Sequence, residues 1–190
     1  MTTAYRRPKN PDAVRRSLLD CAARLALEQG LAAVKIKAVA EAAGVTTGAL
    51  FHHFEGKQAL IEAVFADLLS QADAEIDAAM AKDPDPDGAF TRAYVVSIFS
   101  DPMLTTGGQW AALHVSMIAE PALRRLWAEW FAERLGRHRD TDDRPELEVV
   151  RLAADGAWLA FLMHEEGGPL PDLAALSERL VAMTRPPASS

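Results

Sequence analysis

The side chains best suited to chemistry in this 190-residue chain are cations gathered near its amino terminus. Arg6, Arg7, Lys9, Arg15, Arg16, Arg24, Lys35, Lys37 and Lys57 stand against five acidic residues in the first 58 positions, a net of +4, whereas the other 132 positions hold 11 basic and 22 acidic side chains. The overall charge of −7 therefore conceals a basic third. A concentration of guanidinium and ammonium groups suits a polyanion partner, the alternative being a merely solvated basic face. Lys57 has the clearest local rationale. It begins a helix, and an ammonium beside the outward-pointing amides of a first turn concentrates positive potential at one spot. Nothing comparable exists for catalysis. The candidate acids, bases and ligands are His114, His138 and His164-Glu165-Glu166, and none forms HExxH, a phosphate loop or a G-x-S-x-G elbow. No catalytic residue, metal site or cofactor is expected, and the lone Cys21 supports neither an internal disulfide nor a thiolate cluster.

The elements that must carry these residues are helices. Apolar residues recur at helical spacing and runs of alternating β-branched residues are missing, which predicts an all-α protein. In the first helix Asn10 caps, Pro11 suits the first position, Val14, Leu18, Cys21 and Leu25 make an apolar stripe, and Gly30 closes. Two short helices, 36–43 and 47–54, are separated by Gly44, Val45 and Thr46, the turn of a helix-turn-helix. Val39, Ala40, Ala43, Leu50 and Phe54 face inward, Val45 plugs the corner, and Thr46 caps the second helix. A longer helix over 57–81, with Ile61, Val64, Leu68, Ile76 and Met80 on its apolar side, ends at Asp83–Gly88, DPDPDG, which reads as a loop with exposed, turn-forming aspartates. Further helices are predicted at about 88–99, 103–118, 121–138, 145–166 and 172–184, with breaks at Asp101-Pro102, Glu120-Pro121, Arg137–Pro145 and Gly167–Pro171.

Residues 38–60, AVAEAAGVTTGALFHHFEGKQAL, resemble the DNA-binding motif of the TetR family of bacterial transcriptional regulators. Val39-Ala40, Ala43-Gly44-Val45-Thr46, Gly48, Leu50-Phe51, His53-Phe54 and Lys57 fall at the family's spacing, and a pattern fixed over some twenty residues is far more specific than helical periodicity alone. The resemblance implies that Thr46 and Thr47 open the recognition helix at positions that touch phosphate or base edges, and that Gly48 lets DNA approach closely. It further implies that Phe51 and His52 occupy positions where the family often places tyrosines against phosphate, that Lys57 is the phosphate-binding lysine, and that His53 braces the fold. Two departures stand out. Phe51 lacks a hydroxyl, and Lys35 replaces a capping threonine, whose loss typically costs about 1 kcal/mol. Lys35 and Lys37 either add phosphate contacts, each releasing roughly one counterion, or simply solvate the surface. Arg6, Arg7 and Lys9 either enter a minor groove or make loose phosphate contacts.

The expected organisation is a three-helix DNA-binding helix-turn-helix domain at 1–56 and a helical ligand-binding and dimerisation domain at 57–190, joined through the connecting helix 57–81. All four tryptophans lie in the second part, where aromatic residues and methionines at helical spacing are core by default. The family resemblance implies a ligand cavity there, and Trp110, His114, Met117, Trp127 and Phe131 are the expected wall. It also implies dimerisation through the last two long helices, for which Ala153, Gly156, Ala157 and Ala160 permit close approach alongside Leu173, Leu176, Leu180 and Met183. The expected function is a ligand-responsive regulator: a repressor that binds a palindromic operator in double-stranded DNA as a homodimer and is released by a small apolar or aromatic effector. The rival is an all-helical protein-interaction module without sequence-specific DNA binding, which leaves the motif and the basic third unexplained. No stretch approaches the roughly 18 apolar residues of a membrane helix and the amino terminus has no apolar signal core, so no membrane partner and a cytoplasmic location are expected.

Overall fold

The computed structural model describes residues 10–100, 118–163 and 172–185. Among these the chain is helical, with no strand. The helices are α1 Pro11–Gln29, α2 Ile36–Ala42, α3 Thr47–Phe51, α4 Lys57–Met80, α5 Ala89–Ser100, α6 Pro121–Arg137, a short α7 Arg139–Asp142, α8 Pro145–Leu162 and α9 Leu173–Met183. The predicted helix at 103–118 falls almost wholly outside the described residues, as do Arg6, Arg7 and Lys9. The chain forms two compact units divided after Asp67, so the first three turns of α4 belong to the first unit.

In the first unit the punctuation is as the residue types require. The Asn10 side chain accepts the Asp12 amide at 3.1 Å, Pro11 occupies the first turn, and Gly30 ends α1 at φ +79°, a backbone region that excludes most side chains. The apolar stripe of α1 is displaced from the predicted one. Leu18, Leu19, Ala22 and Ala26 are buried, while Val14, Cys21 and Leu25 stand half-buried at its flank. Alanines, which a reading weighted toward large side chains passes over, let neighbouring helices come close at that seam. Val34, Val39, Ala40, Leu50, Phe54, Leu60, Ile61, Val64 and Phe65 complete the buried set.

In the second unit α5 is buried on every side over Ala89–Val95, as a helix enclosed by others must be. Phe90, Ala93 and Tyr94 pack with Ile76, Trp130 and Phe131, while Val95 packs with Val150, Ala154 and Leu180. Charged residues are built into this core. Arg134, with 0% exposure, donates to Asp77 at 2.6 Å and lies over the Phe90 ring at 5.3 Å. The Trp130 indole N–H finds Asp73 at 2.8 Å, the polar partner a half-buried tryptophan needs. The DPDPDG segment departs from its expected character as an exposed loop. Asp83 and Asp85 are half-buried, and the segment wraps the buried Arg92, which donates to the Asp83 carboxylate (2.6 Å) and to the carbonyls of Asp85 (2.5 Å) and Asp87 (2.8 Å). The predicted break at Arg137–Pro145 likewise contains α7, anchored by the buried Asp142.

His138 stacks on Phe90 at 5.1 Å, and its buried Nε2 has no hydrogen-bond partner among the described residues. Burial, reinforced by the Arg134 guanidinium, holds its pKa below the ordinary value. The unfolded chain therefore takes up the proton more readily, and stability should fall as pH drops from about 7 toward 5. His138→Phe should flatten that decline in urea midpoints measured across the range. An undiminished slope would assign the acid sensitivity to other groups.

Candidate nucleic-acid interface

The helix-turn-helix is assembled from the sequence upward. α2 ends at Ala42, Gly44 turns the chain at φ +65°, and the Val45 amide donates back to the Ala40 carbonyl at 2.9 Å. The Thr46 hydroxyl accepts the Ala49 amide at 3.1 Å, which satisfies a first-turn donor of α3. Leu50 and Phe54 are buried on one side of this short helix and its continuation, so the opposite side is presented outward.

That outward side carries the predicted residues. Thr46, Thr47, Gly48, Phe51 and His52 are all exposed, as are Lys35 and Lys37 at the start of α2 and Lys57 at the first position of α4. Phe51 leaves 54% of its surface open. A Cβ at Gly48 would meet only the Thr46 hydroxyl at 3.8 Å, so nothing within the chain demands glycine. Glycine in a helix costs about 0.5–1 kcal/mol relative to alanine. Thr46 is already engaged as a cap, which orients it.

The lysines differ from one another. Lys35 makes no side-chain cap, as its chemistry requires, and has no ion pair among the described residues. Lys37 lies 3.9 Å from Glu41 in a solvent-exposed pair, an interaction worth little and readily exchanged. Lys57 also lacks an ion pair among the described residues, so its charge is fully available. His53 is half-buried and tilted against Phe54 at 6.4 Å, beside the guanidinium of Arg15, which lies 5.1 Å from the same ring. One contributor was not legible beforehand. Arg16 grips Asp67 through both carboxylate oxygens, at 2.5 and 2.8 Å, and so ties α1 to α4. Its neighbour Asp20 at i+4 was visible in the sequence, whereas Asp67, 51 residues away, gave no signal.

Of the expected cavity wall, Trp110, His114 and Met117 lie outside the described residues. Trp127 and Phe131 come together, stacked at 4.9 Å and 12°. Phe131 also borders a cavity of about 270 Å³ whose other walls are largely charged, namely Leu135, Asp142, Asp143, Glu148, Arg151, Leu152 and Asp155. Among the described residues no cluster could hold a metal ion, and no helix is long and apolar enough to cross a membrane.

A capped helix presenting an exposed polar face beside free lysines, followed by a larger helical unit, is the build of a helix-turn-helix DNA-binding protein. Comparison with known proteins agrees. Residues 18–64 match the family model described as bacterial regulatory proteins, tetR family, and residues 88–185 match the tetracyclin repressor-like C-terminal domain. The chain is 33% identical over 165 residues to the HTH-type transcriptional regulator BetI of Ectopseudomonas mendocina, covering 80% of this chain and 84% of that one. It is 26% identical over 180 residues to the HTH-type transcriptional repressor KstR2 of Mycolicibacterium smegmatis, covering 86% and 85%. Its fold is shared with SCO4454, a TetR-family regulator of Streptomyces coelicolor, at a TM-score of 0.62 and 24% identity over 90% and 92% of the two chains. The chain belongs to the TetR family. It is a ligand-responsive, DNA-binding regulator of transcription.

Proposed function

We propose that the protein acts in the cytoplasm, without enzymatic activity, as a repressor that binds a palindromic operator as a homodimer and leaves it when a small effector with an apolar or aromatic body occupies the second unit. The observation that carries the DNA half is the exposed side of α3, where Thr47, Gly48, Phe51 and His52 stand open while Leu50 and Phe54 anchor the helix from behind. Thr47 and His52 read base edges; Lys57, Lys35 and Lys37 neutralise phosphates; Thr46 sets the start of the helix; and Phe51 packs on the backbone without the hydrogen bond a tyrosine would add. One such helix reads too few base pairs for adequate specificity, so two copies across a symmetric site are required. The name of the KstR2 relative supports repression. For the effector, the Trp127–Phe131 stack offers an aromatic surface beside an open cavity.

Selection of preferred duplexes from a random pool should recover a palindrome with half-sites about one helical turn apart. Recovery of only unpaired or random sequences would overturn the reading. On the selected duplex, Lys57→Ala should weaken binding to all sequences alike and lower the salt slope by about one unit per subunit. Changed sequence preference with an unchanged slope would place Lys57 among the base-reading residues instead.

A further inference from the structure

The second unit contains a charge arrangement that helix packing does not account for. Arg151 of α8 is only 6% exposed. Its Nη1 donates to the Thr91 hydroxyl at 2.6 Å and to the Asp142 carbonyl at 3.2 Å, while Nε and Nη2 have no hydrogen-bond partner among the described residues. No described carboxylate lies within ion-pair distance of it, although four line the same cavity. A guanidinium taken out of water without a carboxylate partner is costly unless something else reaches it.

The four carboxylates are not equivalent. Asp142 is satisfied from within, accepting the Thr91 amide (2.8 Å), the Thr91 hydroxyl (2.6 Å) and the Thr141 hydroxyl (2.9 Å). Asp155 accepts the Tyr94 hydroxyl at 2.6 Å, and burial pushes its carboxyl up. Asp143 and Glu148 are exposed, and their side chains have no hydrogen-bond or ion-pair partner among the described residues. One cavity of about 270 Å³ thus holds a buried guanidinium with an unused edge, two unpaired carboxylates and the apolar surfaces of Phe131 and Leu135.

We propose that this cavity binds a small zwitterion: a carboxylate held by the free edge of Arg151, an ammonium by Glu148 and Asp143, and an apolar or aromatic body against Phe131 and Leu135. This rests on the effector-responsive reading above and specifies the ligand's polar ends. A simple cation would be repelled by Arg151, which is buried at 6% exposure and cannot deprotonate near neutral pH. A simple anion would meet Arg151 but also the four carboxylates around it. A molecule with both charges satisfies each group with its opposite, and planar guanidinium suits a carboxylate in particular.

The test titrates the full-length protein, free of DNA, with phenylalanine, leucine, 2-phenylethylamine and 3-phenylpropionate by calorimetry and tryptophan fluorescence. At least one of the two amino acids should bind at least about tenfold more tightly than the amine or the acid that lacks one charge. Glu148→Gln, at an exposed position where folding is not at risk, should weaken the amino acids and the amine but spare 3-phenylpropionate. Arg151→Lys should weaken the amino acids and 3-phenylpropionate but spare the amine. Tighter binding of the amine than of both amino acids, or no amino-acid binding at millimolar concentration, overturns the proposal. Two outcomes separate it from the regulatory reading. Amino-acid binding that leaves DNA affinity unchanged upholds the site and overturns its role as the effector site. A compound that releases DNA equally well from Glu148→Gln and the parent protein, with no amino acid bound, overturns the site and leaves the regulator intact.

Discussion

Leu159→Arg should give a folded protein that no longer forms the proposed homodimer and binds the proposed palindromic duplex at least about a hundredfold more weakly. Val149, Leu152, Leu159 and Met163 line one side of α8 with 57%, 62%, 43% and 75% of their surfaces open. Ala153, Gly156 and Ala160 stand exposed among them, and a Cβ at Gly156 would meet no atom within 4 Å. A contiguous apolar strip of this kind, with a glycine that no packing inside the chain requires, fits a second helix approaching closely. Met183 of α9, 57% exposed, extends the apolar surface. An arginine at 159 would remain solvated in the single chain, so its cost falls on the association alone. Without the partner each recognition helix must find its half-site independently, and the gain in effective concentration from linking two sites is lost. Light scattering gives the oligomeric state and a duplex titration the affinity. A Leu159→Arg protein that stays dimeric, or a monomer that keeps full affinity, would move the interface elsewhere.

The first unit was legible in the sequence because its signals are local. Gly44, the Thr46 cap, Leu50 and Phe54 at i and i+4, and the Asn10-Pro11 start each act within a few residues, and the structure places every one as its chemistry requires. The second unit was legible only as a set of helices. Periodicity assigns polar side chains to solvent, yet Thr91, Arg92, Arg134, Asp142 and Arg151 are buried, held by partners up to 92 positions away. Nothing in the spacing of Arg92 or Asp142 distinguishes them from surface charges. The short α7 was hidden for the same reason: its four residues, Arg-Asp-Thr-Asp, look like a solvated linker until Asp142 is seen capturing Thr91. The charged cavity was hidden in the same way, since nothing in the spacing of Arg151 or Glu148 sets them apart from surface charges.

Arg92→Ala should destabilise the second unit by roughly 2–4 kcal/mol, somewhat under the 3–5 usual for breaking a fully buried ion pair because Asp83 retains some contact with water. Arg92 is 4% exposed and holds four acceptors at once: the Asp83 carboxylate, the carbonyls of Asp85 and Asp87, and, at 3.3 Å, the Thr184 hydroxyl beyond the end of α9. Its guanidinium holds the Asp83 carboxyl below the usual carboxylate range, the mark of an ion pair made in the folded state. Alanine would leave the Asp83 carboxylate with only the Asp85 amide and the Asp85 and Asp87 carbonyls without their guanidinium donor, and would open a cavity beside Gly88, where φ is +74° and a Cβ would come within 3.1 Å of Arg92 Nη1, so the turn is wrapped closely around the side chain. Lysine should rescue little, because one ammonium cannot serve acceptors spread around a planar fork. For a chain of this length the change corresponds to a drop in Tm of about 4–16 °C. Thermal unfolding of the Arg92→Ala and Arg92→Lys proteins checks it. A shift of less than about 1 kcal/mol for alanine would mean that water replaces the guanidinium and that the DPDPDG turn holds its shape through its own aspartate-to-amide bonds, Asp83 to the Asp85 amide and Asp85 to the Asp87 amide, both at 3.1 Å.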